Sequence, residues 1–260
     1  MIPKIIHFCW LSDDKYPEVI EKCIATWHEK LPDYEFILWD TNRFNLEDAI
    51  WVKQAFESKK YAFAADYIRL FAVFNYGGIY LDTDIEVIKK FDDLLHMPYF
   101  VGSEGEGNIE AGVFGAEKGC EWIGDCLAYY DEKSFIMSDG TFNITTLPRI
   151  MMSQICKTRK IIEISNCDIS NLKFDDSTLL MFPEDYFCAK NQGTGIIKTT
   201  KNTYSIHHFA MSWVSKKVTF LPNLKRKLIG FLGASNINLI ITVFRLKEIR
   251  KWLSNLQSKK

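Results

Sequence analysis

Two aspartates separated by one small residue, Asp82 and Asp84, are the side chains of this sequence best suited to chemistry. They follow a glycine pair, Gly77-Gly78, and a short apolar run at residues 79–81. The glycines supply the left-handed residues that end a helix, and the apolar run predicts a buried strand. In an extended chain residues i and i+2 lie on one face. Both carboxylates can then converge on one hard divalent cation.

Asp66 and Arg69 lie in the segment before the glycine pair, where residues 61–75 form the longest helical pattern of the chain. Being three residues apart, they share one face of that helix. A surface ion pair worth a fraction of a kcal/mol is the simpler interpretation of these two residues alone. A D-x-D pair also occurs by chance, so its position after a buried strand gives the pattern its specificity.

Strands and helices alternate along the chain. The spacing predicts strands at 5–9, 34–39, 79–81, 99–103, 112–116, 161–164 and 204–208, and helices at 17–29, 46–56, 61–75, 121–130 and 146–156. This order indicates the α/β class, with a mostly parallel sheet and helices on both faces. Ligands of such sheets bind beyond the carboxyl ends of the strands, where Trp10 and Asp40 are also expected.

Length and charge divide the chain into a domain and a tail. With 260 residues and 47% hydrophobic content, the chain can bury the core of one large domain. The net charge is -1, but residues 216–260 carry eleven Lys or Arg against a single Glu, which leaves the rest strongly acidic. A general nucleic-acid binder would instead carry its basic surface on the folded domain. We therefore predict a domain at 1–215 and a basic helical tail at 216–260.

The cysteines favour a reducing compartment. There are seven, with no C-x-x-C pair, and an odd number cannot all pair internally. The first ten residues are too short and too interrupted for a secretion signal and predict a strand. The expected location is the cytoplasm, with peripheral association at the inner face of the plasma membrane through the tail.

Several blocks resemble, in order, the D-x-D glycosyltransferases of family 32, which include capsular-polysaccharide sugar transferases and initiation-specific mannosyltransferases. The resemblance covers roughly residues 1–215. The blocks lie at residues 2–10 (IPKIIHFCW), 31–34 (LPDY), 39–40 (WD), 62–70, 77–84, 206–209 (IHHF) and 212–213 (SW).

The resemblance implies a GT-A type fold, a Rossmann-like mixed sheet flanked by helices. It also implies transfer of a hexose from a UDP- or GDP-sugar to a hydroxyl of a glycan or lipid-linked acceptor, with retention of configuration, in capsular or O-antigen type polysaccharide synthesis. A cation held by carboxylates would neutralise the leaving diphosphate. Mn²⁺ or Mg²⁺ suits both the oxygen ligands and the diphosphate.

By similarity to the family, Asp84 is the first candidate for direct metal contact, and Asp82 reaches the metal or the donor ribose. Asp66 and Arg69 become sugar-binding residues, and Arg69 has the guanidinium fork that suits a diphosphate. Trp10 would stack on the nucleobase; its alternative is a core tryptophan. The candidate catalytic residues are Asp66, Arg69, Asp82 and Asp84.

Adjacent histidines, His207 and His208, offer a third metal ligand. Alternation along a strand sends their side chains to opposite faces, so that one of them reaches the cation. Spacing to Trp213, which the resemblance places with Ser212 at the diphosphate, favours His208. A packed core histidine is the alternative for either. Met211 stands where the family often has glycine, which puts a close backbone approach to the phosphates in doubt.

Glu110 and Asn143 are acceptor-side candidates, although a polar loop accounts for both equally well. No separate base or nucleophile is evident. A retaining glycosidase places a carboxylate pair around the scissile bond, whereas Asp82 and Asp84 are committed to metal and donor. The resemblance implies that the acceptor hydroxyl attacks the sugar on the same face from which the diphosphate leaves. The departing phosphate would help to deprotonate that hydroxyl.

Within the tail, residues 228–244 carry no charged side chain and have basic residues on both sides. This stretch is at the lower limit for spanning a bilayer. An interfacial helix or hairpin at an anionic membrane surface fits this stretch better than a membrane span. Packing of a basic helical appendage on the acidic domain or on a second subunit is a nearly equal alternative.

Two other functions compete with a sugar transferase. A metal-dependent phosphate-ester hydrolase also uses clustered aspartates. A non-catalytic carbohydrate- or membrane-binding module would have kept the fold but lost turnover.

Overall fold

The computed structural model describes residues 1–131, 133–165 and 169–210. The strands are β1 (Ile5–Cys9), β2 (Glu35–Trp39), β3 (Gly78–Leu81), β4 (Ile85–Val87), β5 (Tyr99–Gly105), β6 (Asn108–Ala116), β7 (Lys160–Glu163), β8 (Thr178–Met181) and β9 (Ser205–His207). The helices are α1 (Glu18–Lys30), α2 (Ile50–Glu57), α3 (Tyr61–Tyr76), α4 (Glu121–Ala128), α5 (Leu147–Ile155) and α6 (Glu184–Phe187).

The central sheet has the strand order β2-β1-β3-β6-β5. β1 pairs parallel with β2 and β3, whereas β6 pairs antiparallel with both β3 and β5. The expectation of a mostly parallel sheet is therefore wrong for its second half. The reason is that β5 and β6 form a hairpin closed at Gly105–Asn108, which returns the chain without a crossover helix.

Helices cover both faces of this sheet, as expected. Along β3, Tyr80 packs into a core that also contains the buried side chains of α2, α3, α4 and α5, whereas Ile79 and Leu81 pack into a second core with Trp27 of α1. Alternation along the strand sends successive side chains to the two cores. The α/β class, and the mixed sheet flanked by helices that the resemblance implied for a GT-A type fold, are confirmed.

The glycine pair ends α3 and begins β3. Gly77 has φ +66° and Gly78 has φ +107°, in the region that favours glycine. A Cβ on Gly78 would lie 2.8 Å from the carbonyl oxygen of Ile5. The pair therefore lets the helix stop and the chain pass close beside β1, which places the following aspartates at the end of a central strand.

His7, on β1, ties this junction to the sheet. It is fully buried; its Nε2 lies 2.8 Å from the carbonyl oxygen of Gly77, and its Nδ1 accepts a hydrogen bond from Trp39 Nε1 at 3.1 Å. Burial lowers the pKa of His7 from 6.5 to about 4, although the bond to Gly77 opposes this. The histidine is therefore neutral, with Nε2–H donating and Nδ1 accepting.

This buried histidine predicts a loss of stability in mild acid. Because its folded pKa lies below its unfolded value, its contribution is complete above pH 6.5 and is lost as the pH falls towards 4, with about 2 kcal/mol lost between pH 7 and pH 5. Urea unfolding at the two pH values measures it. Between pH 7 and pH 5, the free energy of unfolding of the His7→Gln variant should fall by less than that of the parent protein. An equal fall in both proteins would contradict the prediction.

Most regular elements lie within one or two residues of their predicted bounds, and β1 matches its prediction. The sequence missed β4, β8 and α6. The predicted helix at 46–56 is divided into a 3₁₀ turn, Leu46–Asp48, and α2. Within the described residues, no helix combines the length and apolar character that crossing a membrane requires.

Residues 1–190 and 197–210 belong to one compact unit. The loop 191–196 belongs to a second unit; within it, the Gly195 N–H donates to the carbonyl of Asn191 at 2.8 Å. The predicted tail at 216–260 lies outside the described residues, so the division at residue 215 stays a prediction.

Candidate active site

The D-x-D segment forms a tight turn between β3 and β4. The Asp82 N–H donates to the carbonyl of Gly112 at 2.8 Å, and the Ile85 N–H donates back to the carbonyl of Asp82 at 3.0 Å. The aspartates therefore do not converge through an extended backbone, as the spacing argument assumed. The turn still brings them together, because ligand atoms of Asp82, Asp84 and His207 all lie within 4.8 Å of one another.

Arg69 holds the acidic side chains of α3 and the turn in place. Its Nη2 lies 3.2 Å from oxygens of both Asp66 and Asp82, and its Nη1 donates to Asp82 at 3.2 Å and to the Ala111 carbonyl at 2.8 Å. The guanidinium also lies over the ring of Tyr80, whose hydroxyl donates to Asp82 at 2.9 Å. Sequence reasoning missed Tyr80, which reads as an ordinary apolar strand residue.

These contacts correct the expected role of Arg69 as a diphosphate ligand. Its Nε also donates, to the Ala65 carbonyl at 3.4 Å, and the side chain is only 8% exposed. The donors of the guanidinium are thus engaged by the protein itself. Burial raises the pKa of Asp66 to about 6, although Arg69 opposes this. Asp66 remains a candidate for contact with sugar hydroxyls.

His207 joins the aspartates from a distant part of the chain. It ends β9, which pairs antiparallel with β4 so that His207 lies opposite Ile85. Its Nε2 lies 3.4 Å from Asp84 Oδ1, and its Nδ1 lies 3.0 and 3.1 Å from the two oxygens of Glu110. Burial alone would lower the pKa of His207, but these two carboxylates raise it well above its usual value.

The same contacts stabilise the ionised forms of both acids. Burial alone would raise the pKa of Asp84, but His207 and the backbone N–H of Ala210 lower it to about 2. The pKa of Glu110 is also lowered by His207 against the effect of burial. In contrast, burial raises the pKa of Asp82, and the neighbouring Asp84 adds to this rise.

His208, which the spacing to Trp213 favoured, faces away from this cluster. Its Nε2 lies 2.7 Å from Glu86, and only its backbone N–H approaches the turn, donating to the Asp84 carbonyl at 3.0 Å. Strand alternation does send the two rings to opposite sides, as expected. The preference between them is corrected, because the pairing of Ile85 with His207 decides which ring faces the aspartates.

Glu110 is not an acceptor-side residue in this structure. It is 1% exposed, and its Oε1 accepts from the Gly112 N–H at 2.6 Å while both oxygens contact His207. Gly112 makes room for the cluster, since a Cβ there would lie within about 3 Å of Glu110, Asp82 and His207. The sequence signal for this arrangement is weak, because an E-x-G segment has many other uses.

The remaining candidates are not brought into contact with the cluster. Trp10 follows β1 as predicted, and its ring packs edge-on against Tyr16, with Nε1 donating to the Asp14 carbonyl at 2.9 Å. Asn143 accepts hydrogen bonds from Thr145 in the turn before α5. Their assignments to the nucleobase and the acceptor stay predictions. Ser212 and Trp213 lie outside the described residues, as does Met211.

The residues of the cluster fit a divalent cation. Two carboxylates and one imidazole nitrogen form a donor set that a divalent metal ion can bind. The imidazole is oriented by a carboxylate on its other nitrogen, as metal-ligating histidines usually are. A second grouping, Glu110, Cys188 and His207, is more deeply buried than the first and shares the same imidazole. Because burial raises the pKa of the Cys188 thiol to about 12, the first grouping suits a hard cation better.

The chain matches a known family and several curated proteins. Residues 17–101 match the family described as a glycosyltransferase sugar-binding region containing a DXD motif. Inositol phosphoceramide mannosyltransferase 3 of Schizosaccharomyces pombe is 36% identical over 125 residues, which are 45% of this chain and 34% of that protein. Mannosyl phosphorylinositol ceramide synthase SUR1 of Saccharomyces cerevisiae is 34% identical over 45% of this chain and 31% of that protein.

The matches span about a third of each relative's length. Among solved structures, PaToxG glycosyltransferase is 20% identical with a TM-score of 0.47, over 60% of this chain and 69% of that chain. The matched residues 17–101 contain Asp66, Arg69, Asp82 and Asp84 but neither Glu110 nor His207. The family model and the curated relatives confirm the resemblance to the D-x-D glycosyltransferases of family 32, with residues 17–101 matching their sugar-binding region.

Proposed function

We propose that the chain is a metal-dependent, retaining glycosyltransferase that moves a hexose from a UDP- or GDP-sugar to a hydroxyl of a lipid-linked or glycan acceptor. The observation that carries the proposal is the cluster of Asp82, Asp84 and His207 at the end of a central strand. Surface polysaccharide synthesis of the capsular or O-antigen type is the proposed context. The relatives named as mannosyltransferases make mannose the first sugar to test.

The donor diphosphate is assigned to the cation side of the cluster. A bound divalent ion would supply positive charge to the leaving diphosphate, held by Asp84, Asp82 and His207. Arg69 holds Asp82 in place through an ion pair, and Glu110 orients the ring of His207 through a contact with its Nδ1. Because both supporting residues are almost fully buried, the ligand atoms are held in position before the donor binds.

Retention of configuration is proposed because the cluster offers no carboxylate in the position of a base or nucleophile. Asp82 and Asp84 face the cation position, and Glu110 is enclosed against His207. Asp66 lies beside the cluster, is paired with Arg69 and is only 13% exposed. We assign it to binding the transferred sugar, and the departing phosphate oxygen would take the proton of the acceptor hydroxyl.

Incubation of the purified chain with a panel of UDP- and GDP-hexoses, with and without Mn²⁺, tests the function. We expect turnover of one donor that requires the cation and increases with a sugar-hydroxyl acceptor. A phosphate-ester hydrolase would instead release phosphate from simple esters and show no transfer. Binding of donor without any turnover would indicate a non-catalytic module, and either result would contradict the proposal.

The proposed location is the cytoplasm, with peripheral attachment at the inner face of the membrane. It is supported by the basic composition of residues 216–260 and by the cysteine usage of the chain. A lipid-linked acceptor would be met at that surface.

A further inference from the structure

An ordered hairpin at residues 135–144 precedes α5, and we refer to it as the apolar hairpin. The Met137 N–H donates to the carbonyl of Thr141 at 2.8 Å, the Gly140 N–H donates to Met137 at 2.9 Å, and the Asn143 N–H donates to Phe135 at 2.8 Å. These bonds define a two-stranded turn with Ile136 opposite Phe142. The segment therefore has a fixed backbone.

The apolar hairpin exposes large hydrophobic side chains to solvent. Ile136 and Phe142 are each 37% exposed, Met137 is 43% exposed and Ile144 is 67% exposed. The Ile136 N–H is bonded to Gln54 of α2, and one turn earlier on that helix Ile50 is 53% exposed. Single exposed hydrophobic residues need no explanation, but a contiguous group of this kind marks an interaction surface.

The base of the apolar hairpin is anchored in the core. Phe135 is fully buried, with its ring centroid 5.3 Å from those of both Trp51 and Phe63. The ring of Phe142 stacks on Phe135 at 5.2 Å. The exposed side chains are therefore held out from a rigid support and cannot bury themselves by local collapse.

The apolar hairpin leads directly into the candidate active site. It is followed by α5, whose first residue Leu147 gives the Asp66 carboxylate a backbone hydrogen bond. On the other side, Phe63 lies one helical turn before Asp66 on α3. A ligand lying against the apolar hairpin would thus be close to the carboxylate that we assign to the transferred sugar.

Both lysines and acids lie in the segments next to the apolar hairpin, and the acids Glu57 and Asp131 are exposed. Lys59, Lys60 and Lys133 are exposed, and Lys60 Nζ lies 5.7 Å from the centre of the Phe142 ring. At the tip, the Asp139 carboxylate accepts hydrogen bonds from the backbone and hydroxyl of Thr141. Apolar side chains at a projecting turn, with cations at its base, suit the boundary between acyl chains and phosphate head groups.

We propose that the apolar hairpin inserts into the head-group boundary of a phospholipid bilayer and so presents the active site to a lipid-borne acceptor. This rests on the proposed function only in taking the acceptor to be lipid-linked. The apolar contact would act on zwitterionic lipid, and anionic lipid would strengthen binding through the lysines. The surface is separate in sequence from the basic tail.

A local probe tests the insertion in the full chain. An environment-sensitive fluorophore is attached through Ile144→Cys, in a background in which Cys156 and Cys167 are replaced by serine. With phosphatidylcholine vesicles containing phosphatidylserine, we expect a blue shift and quenching by brominated acyl chains. The same label attached through Ile162→Cys, on β7, should remain in water. A label at position 144 that stays in water at saturating lipid would overturn the proposal, even if the tail binds vesicles.

A pair of matched variants measures the contribution to binding. Ile136→Ser with Ile144→Ser should raise the lipid concentration for half-maximal binding by about tenfold, whereas Ile162→Ser with Ile197→Ser, which also removes two exposed isoleucines, should leave it unchanged. Equal effects would overturn the proposal. The proposal would also be overturned if the parent protein is a dimer without vesicles and only the Ile136→Ser, Ile144→Ser variant is a monomer. A second copy of the chain would then cover the surface. Cation-dependent donor hydrolysis should persist in both pairs, which separates this test from that of the proposed function.

Discussion

Replacing Asp84 with alanine is expected to reduce cation-dependent donor turnover by roughly 10³-fold. The surroundings keep Asp84 ionised, because His207 and the Ala210 N–H lower its pKa to about 2, whereas burial raises the pKa of Asp82. It is also the acid that lies beside the third candidate ligand, at 3.4 Å from His207 Nε2. Its removal takes a negative charge from the position where the ion would bind. The steady-state rate with the preferred donor, at saturating Mn²⁺, measures the loss.

The fold must be shown to survive this change. Asp84→Asn keeps the shape of the side chain and an oxygen for the Ala210 N–H, so it should lose turnover with a thermal midpoint close to that of the parent. Asp175→Ala is the matched control, since Asp175 also accepts hydrogen bonds in a turn but is exposed. Full turnover in both Asp84 variants would remove Asp84 from the metal site.

Replacing His207 with asparagine should weaken Mn²⁺ binding by about 100-fold or more, since loss of a residue that only supports a ligand already costs about 10- to 100-fold. The asparagine amide can take the place of Nδ1 and keep the contact with Glu110, but nothing replaces Nε2 beside Asp84. Binding followed by the electron paramagnetic resonance of free Mn²⁺ measures the affinity without any turnover.

The neighbouring histidine provides the control for this experiment. His208→Asn removes a ring that contacts Glu86 and not the aspartate cluster, so Mn²⁺ affinity should stay within about twofold of the parent value. The reverse result, with His208 needed and His207 dispensable, would show that strand β9 presents the other face when the ion binds.

The elements that position the aspartates could be predicted from the sequence. Local patterns specify them: a long apolar helix, a glycine pair with positive φ and a short buried strand that ends on Asp82. Helix spacing put Asp66 and Arg69 on one face of α3 but left a surface ion pair as the simpler interpretation. Only the family resemblance implied that they lie beside the aspartates.

The other half of the site depends on pairing between distant segments. β4 has three residues, too few for a periodic signal, and was missed, whereas β9 was expected within residues 204–208 but without a pairing partner. Which histidine faces the aspartates is set by that register, and a shift of one residue would exchange His207 for His208. Glu110 depends in the same way on the hairpin of β5 and β6, whose register shifts between Val101 and Gly102.

The pairing of β4 with β9 also has a consequence for the synthesis of the protein. A ribosome releases the aspartate pair long before it releases His207, so the two acids first emerge without the imidazole that later compensates their charge. The proposed metal site would be completed only when nearly all of the described chain has been synthesised and β9 has paired with β4. A prematurely terminated product that retains the whole matched region, residues 17–101, would lack this ligand. The complete set of three proposed ligands would therefore exist only in molecules whose synthesis is nearly finished.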